Sequence, residues 1–101
     1  MADKPNPTQP PQLQIEIDPA VANGSFINMA WVNHTETEFT LDLIYVQPQP
    51  PPKASVRARI ITTPKHAKRL LAALQENIAK YEARYGEIDL GGAVHFPDIA
   101  N

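Results

Sequence analysis

The stretch that decides the fold is residues 63–86, TPKHAKRLLAALQENIAKYEARYG. Thr63 can cap the first turn of a helix through its hydroxyl, and Pro64 fits the first helical position because an N–H there would have no partner. Gly86 is typical of the residue that follows a helix. The stretch therefore predicts a helix over residues 64–85, about 33 Å long at ~1.5 Å per residue.

Apolar side chains recur along this helix at alternating steps of four and three residues. Side chains at that spacing form a stripe on one side of a helix, and such a stripe has to be buried against another surface. Its members are Ala67, Leu71, Leu74, Ile78, Tyr81 and Tyr85, with Leu70 beside them. On the opposite side, Glu76 and Lys80 lie four residues apart, and we expect them to pair.

Ahead of the helix the pattern has a period of two, which is typical of strands. Four strands are predicted, at residues 13–17, 26–33, 38–46 and 54–62. Residues 21–25 (VANGS) predict a turn, and the proline-rich residues 47–53 predict a stiff polyproline connection. Since short connections favour antiparallel neighbours, the predicted fold is α+β: a four-stranded antiparallel β-meander followed by one long C-terminal α-helix.

Proline and glycine predict where the ordered domain begins and ends. Residues 1–11 hold four of the 11 prolines among Asn, Thr and Gln, so we expect a disordered tail. Residues 12–88 are predicted to form a single α+β domain. Residues 89–101 contain two glycines and Pro97, and they form a C-terminal arm or tail in this prediction.

The second and third predicted strands are apolar on both faces, which is typical of a sheet that is buried on both sides. One helix covers only one face of a sheet. We therefore expect a homo-oligomer, either a dimer or a dimer of dimers. The alternative is that residues 87–100 fold back over the second face. The predicted oligomer or partner surface consists of Ile27, Met29, Trp31, Ile44 and Val46.

Residues 53–69 hold six of the nine basic residues of the chain and no acidic residue. Contacts between cations and phosphates dominate the affinity of proteins for nucleic acids, but no nucleic-acid-binding motif accompanies this segment. The candidate contacts to an anion or a nucleic acid are Arg57 and Arg59, which share a face of the fourth predicted strand, together with Lys65, Lys68 and Arg69.

The interpretation that we favour for this basic segment is pairing with acidic side chains, within one subunit or between subunits. The available acids are Glu16, Glu36, Glu38 and Asp42. Asp42 lies in the middle of a strand, and burying a lone carboxylate is costly. We therefore expect Asp42 to pair with Arg57 or Arg59.

Signatures of catalysis and of metal binding are missing from the sequence. There is no cysteine, and the histidines His34, His66 and His95 lack the spacing of metal ligands. We find no Ser-His-Asp order, glycine-rich phosphate loop or pair of catalytic carboxylates. We therefore predict no catalytic residue, no metal, no cofactor and no enzyme activity. With no signal peptide and no apolar run of ~18 residues, we expect a cytoplasmic location away from membranes.

Four segments carry a family resemblance: residues 21–28 (VANGSFIN), 38–42 (EFTLD), 59–70 (RIITTPKHAKRL) and 74–82 (LQENIAKYE). Together they resemble the small bacterial proteins of domain-of-unknown-function family 3467, over about residues 12–88. The resemblance implies a small cytoplasmic αβ protein without an established activity, and it assigns no catalytic residue. In architecture alone, strands followed by a long helix are similar to the export chaperone SecB, which implies tetramers with apolar grooves for unfolded chains.

These features predict a non-enzymatic, homo-oligomeric interaction module that binds a protein or a peptide. The alternative is a small nucleic-acid-associated factor that uses the basic residues 53–69.

Overall fold

The computed structural model describes residues 12–91. Its elements, in chain order, are α1 (Pro19–Ala22), β1 (Met29–His34), β2 (Phe39–Gln47), β3 (Lys53–Thr62) and α2 (Pro64–Tyr85). The three strands form one antiparallel sheet in the order β1-β2-β3. An α+β protein with an antiparallel sheet and a C-terminal helix is therefore confirmed, and β2 is the central strand.

The prediction of four strands is wrong, because residues 13–17 pair with no strand of this sheet. Leu13 and Ile15 are 85% and 84% exposed. The segment after them begins a helix, since Asp18 Oδ1 accepts a hydrogen bond from the Ala20 N–H at 2.8 Å and caps α1. α1 takes up the first two residues of the predicted turn 21–25. Alternation makes a segment compatible with a sheet, but only an available neighbour makes it a strand.

The predicted helix is confirmed at both ends. The Thr63 hydroxyl accepts a hydrogen bond from the His66 N–H at 3.3 Å, and Pro64 occupies the first position. After Tyr85 the chain leaves the helix at Gly86, whose φ of +100° is a conformation that a residue with a Cβ rarely adopts.

The remaining predicted strands are confirmed to within a few residues at their ends. The connection from β2 to β3 does not run straight as the polyproline prediction implies, because the chain bends at residues 49–51 and returns as the next antiparallel strand. The predicted tail 1–11 lies outside the described residues, as does most of the predicted arm 89–101.

The two faces of the sheet have different surroundings. One face carries Val32 and Leu41, which are directly opposite each other, and a cleft separates it from the first turns of α2. We call it the helix face. The other carries Trp31, Asp42 and Ile44, and we call it the open face. Among residues 12–91, Ile44 is the one buried apolar side chain, at 2% exposure, and it lies on the open face.

A β-bulge in β3 decides which basic side chain lies on which face. Leu43 pairs with Ala58 but Ile44 pairs with Val56, so Arg57 is an extra residue between two regular pairs. The alternation of side chains between the two faces of β3 is broken at that point. The prediction that Arg57 and Arg59 share a face is therefore wrong.

Candidate interaction surfaces

Asp42 and Arg59 form an ion pair on the open face. Arg59 Nε donates to Asp42 Oδ1 at 2.7 Å, and Arg59 Nη2 donates to Asp42 Oδ2 at 3.0 Å. The two residues lie directly opposite each other on β2 and β3, which sets up this bidentate geometry. The predicted pairing of Asp42 with an arginine of the next strand is confirmed, with Arg59 as the partner.

The environment of the pair changes the proton affinity of both groups. The hydrogen bonds and charge of Arg59 lower the pKa of Asp42, although the burial of this carboxylate acts in the opposite direction. The same contacts raise the pKa of Arg59. The Asp42 side chain is 7% exposed and that of Arg59 is 63% exposed, so the arginine covers the carboxylate from the solvent side.

Apolar side chains surround this pair on the open face. Met29 is opposite Ile44, and Trp31 is opposite Asp42, while Val46 follows Ile44 on the same side of β2. The structure thus brings four of the five residues of the predicted oligomer or partner surface onto one face. The fifth, Ile27, is half-buried and precedes β1. Ile44 is covered by its neighbours, whereas Trp31 is 57% exposed.

A cleft with a volume of about 610 Å³ lies between the helix face and the first half of α2. Its lining is apolar apart from one lysine and consists of Val32, Phe39, Leu41, Pro64, Ala67, Lys68, Leu70, Leu71 and Leu74. The helical stripe continues past the cleft without becoming buried. Leu74, Tyr81 and Tyr85 are 56%, 51% and 65% exposed.

Arg57 lies on the helix face, at the other end of the sheet. Its guanidinium carbon is 5.1 Å from the centre of the Tyr45 ring, and Phe26 meets that ring edge-on at 6.2 Å. With Gly24 and Ser25 these side chains line a shallow depression. The contact between the guanidinium and the ring holds Arg57 against its own chain.

The five candidate anion contacts are not gathered on one surface. Arg57 stacks on Tyr45, Arg59 is paired with Asp42 on the other face, and Lys65, Lys68 and Arg69 belong to the first turns of α2. Glu16, Glu36 and Glu38 form no ion pair with this basic segment within residues 12–91. Nucleic-acid binding stays a prediction. On α2, Lys80 Nζ and Glu76 Oε1 lie 3.3 Å apart, which confirms the predicted pair.

The sequence reasoning missed the role of Asn28. Its side-chain Nδ2 donates to the Val46 carbonyl at 3.0 Å, and its Oδ1 accepts from the Val46 N–H at 2.8 Å. Its own N–H donates to the Ile44 carbonyl at 3.0 Å. An amide side chain carries one donor side and one acceptor side, as a peptide group does. Asn28 thereby extends the ladder between β1 and β2, and no spacing in the sequence signals this role.

In the part of the chain that the structure describes, no group of three or more histidine and carboxylate side chains could hold a metal ion. His34 stacks on Phe39, with 5.4 Å between the ring centres. His95 lies outside the described residues. No helix within residues 12–91 is long and apolar enough to cross a membrane.

Comparison with known proteins gives one positive finding. The model of a family described as "Protein of unknown function (DUF3467)" matches residues 1–90. Searches of curated proteins and of solved structures gave no significant match. The expected likeness to SecB is therefore not confirmed.

Proposed function

Since the chain belongs to the DUF3467 family, whose description states no function, we propose its role from its surfaces. It is a homo-oligomeric interaction module without chemistry of its own. Copies of the chain complete one another's hydrophobic core through α2 and the cleft, and the open face of each copy receives a protein or a peptide.

The near absence of a core in the single subunit carries this proposal. Within residues 12–91, Ile44 is the one buried apolar side chain. Burying one such side chain stabilises a fold by about 1.5–3 kcal/mol, whereas ordering each residue costs about 1–2 kcal/mol in backbone entropy. Further apolar burial has to come from elsewhere. A second copy supplies it, because it brings an identical exposed stripe.

The open face is assigned to the protein or peptide partner because its one charged pair is already satisfied. Asp42 and Arg59 bond to each other in a bidentate arrangement, so a partner does not have to supply a charge. Trp31 and Met29 stand beside the pair, 57% and 37% exposed. Aromatic residues and methionine are enriched where protein interfaces gain most of their affinity.

Light scattering on the full chain at micromolar concentration tests the assembly. We expect the mass of a dimer or of a larger oligomer, whereas a monomer mass with a cooperative unfolding transition would overturn the proposal. A Trp31→Ala variant is the matched control. It should keep the assembled mass, because Trp31 lies on the open face rather than on α2.

Trp31 is the single tryptophan of the chain, so its fluorescence reports on the open face alone. In the assembled protein we expect emission typical of an exposed indole, and a blue shift when an unfolded, cysteine-alkylated polypeptide that lacks tryptophan is added. An indole that is already shielded in the free oligomer would assign the open face to self-assembly instead. No shift at saturating polypeptide would remove peptide binding from the proposal.

A further inference from the structure

The apolar stripe of α2 has the same spacing in both directions. From Ala67 to Tyr85 the steps are four, three, four, three and four residues, symmetric about a point midway between Leu74 and Ile78. We propose that two copies of α2 pack antiparallel along this stripe, around a twofold axis at that midpoint. The last turns of each helix then fill the cleft of the other copy. This inference rests on the proposed homo-oligomer and specifies its interface.

Antiparallel packing matches the sizes of the side chains that meet. The layers across the axis are Ala67 with Tyr85, Leu71 with Tyr81, and Leu74 with Ile78. The smallest residue of the stripe thus faces one of the largest. Parallel packing would place Tyr85 on Tyr85 and Ala67 on Ala67, which crowds one end of the seam and leaves a gap at the other. Interiors pack densely, so such uneven layers lose contacts.

The charges on α2 favour the same orientation. The first turns carry Lys65, Lys68 and Arg69 and no acidic residue, so parallel packing would bring the cations of both copies together. Antiparallel packing instead places Lys68 near Glu82 of the other copy, because both residues directly follow a residue of the stripe and flank the seam on the same side. The Ile88 N–H donates to Glu82 Oε2 at 2.8 Å and holds this carboxylate at the end of the helix.

The cleft lies where the antiparallel arrangement delivers aromatic side chains. At the level of Ala67 and Leu71 the other copy presents Tyr85 and Tyr81, whose ring centres are 5.0 Å apart in each helix. These rings fit the apolar lining of the cleft, which includes Phe39. An aromatic side chain can bury about 150–250 Å², so four such rings supply roughly half of the area of a standard interface, about 1,200–2,000 Å².

Distances between spin labels test the orientation on the full chain. The protein has no cysteine, so a single introduced thiol is the only labelling site. Arg69→Cys, Glu76→Cys and Ala83→Cys place a nitroxide on the outer side of α2 at seven-residue intervals. Glu76 lies at the level of the proposed axis, whereas Arg69 and Ala83 lie seven residues to either side of it.

The proposal predicts one short distance and two longer, equal distances between the two copies. With helices packed about 10 Å apart, labels at Glu76 should be about 20 Å apart. Labels at Arg69 and Ala83 gain an axial offset of about 21 Å, which gives about 29 Å. Equal distances at all three sites in a dimer would establish parallel helices. A dimer in which Glu76 does not give the shortest distance would place the interface elsewhere. Both results overturn this inference and leave the proposed oligomer intact, whereas a monomer mass refutes both.

Discussion

β2 and α2 are both rich in apolar residues, yet they differ in what their own chain provides for them. Every residue of β2 is half-buried or buried, because β1 and β3 flank it. On α2, by contrast, Leu71 and Leu74 remain 41% and 56% exposed although the helix is capped at both ends. Backbone hydrogen bonds complete a helix without burying its side chains. The chain therefore covers its central strand by itself, whereas the apolar stripe of α2 stays exposed within residues 12–91.

Replacing Leu74 by alanine tests this difference with the largest expected effect. If the stripe is buried between copies, Leu74→Ala should cost about 2–5 kcal/mol per subunit and shift the mass toward the monomer at micromolar concentration. Sedimentation velocity with thermal unfolding measures both effects. A variant with unchanged mass and melting temperature would show that the stripe is not an interface.

Ile44→Ala provides the matched change within the sheet. Ile44 is 2% exposed in the single chain. Its replacement should therefore lower the free energy of unfolding by a similar amount, and the melting temperature with it, while the assembled mass persists. Glu76→Ala, on the outer side of α2, should change neither quantity appreciably, because exposed ion pairs contribute about 0–1 kcal/mol.

Asn28 links the start of β1 to β2, and its replacement should have an intermediate effect on stability. Asn28→Ala removes both side-chain hydrogen bonds to Val46, at a cost of about 1–3 kcal/mol because each net hydrogen bond contributes roughly 0.5–1.5 kcal/mol. The Val46 amide should exchange with solvent roughly tenfold faster, as measured by NMR. Amides of the ladder between β2 and β3 serve as the internal control. Unchanged exchange at Val46 would mean that the backbone holds this end of the sheet without Asn28.

The last prediction concerns acid pH, where the stabilisation from the Asp42–Arg59 pair should be lost. The pKa of Asp42 lies below its ordinary value of 3.8 when folded, so the stabilisation from its pairing with Arg59 is present above that value. It is lost as the pH falls through the lowered pKa. The difference in melting temperature between the natural protein and Asp42→Asn should stay constant from about pH 7 to 5 and narrow below about 3.8. A difference in melting temperature that narrows already near pH 6 would contradict the assignment of this stabilisation to the pair of Asp42 and Arg59.

Local signals in the sequence predicted α2 over residues 64–85 with Thr63 and Gly86 flanking it, and alternation predicted the three strands of the sheet. These features depend on residues that are a few positions apart in the chain, so they can be predicted from the sequence alone. Asp42 was also predicted to pair, because a carboxylate between apolar residues needs a partner. Which arginine it takes depends on register, and the bulge beside Leu43 and Ile44 left Arg59 opposite it.

The errors concern relations between segments that are distant in the sequence. Residues 13–17 alternate as a strand does, but within residues 12–91 no sheet edge pairs with them. The bulge places Arg57 and Arg59 on different faces of the sheet, so the prediction that they share a face is wrong. Asn28 reaches Val46, 18 residues away, by a contact that only the folded sheet creates.

The sequence by itself determined the helix, its caps, its apolar stripe and the alternation of the strands, because each depends on residues that are near one another along the chain. Only the tertiary structure decided the strand count, the face on which each arginine lies and the exposure of the stripe. Those properties follow from which segments meet and with what register. Because α2 meets so little of its own sheet, its local apolar pattern stays exposed in the folded chain.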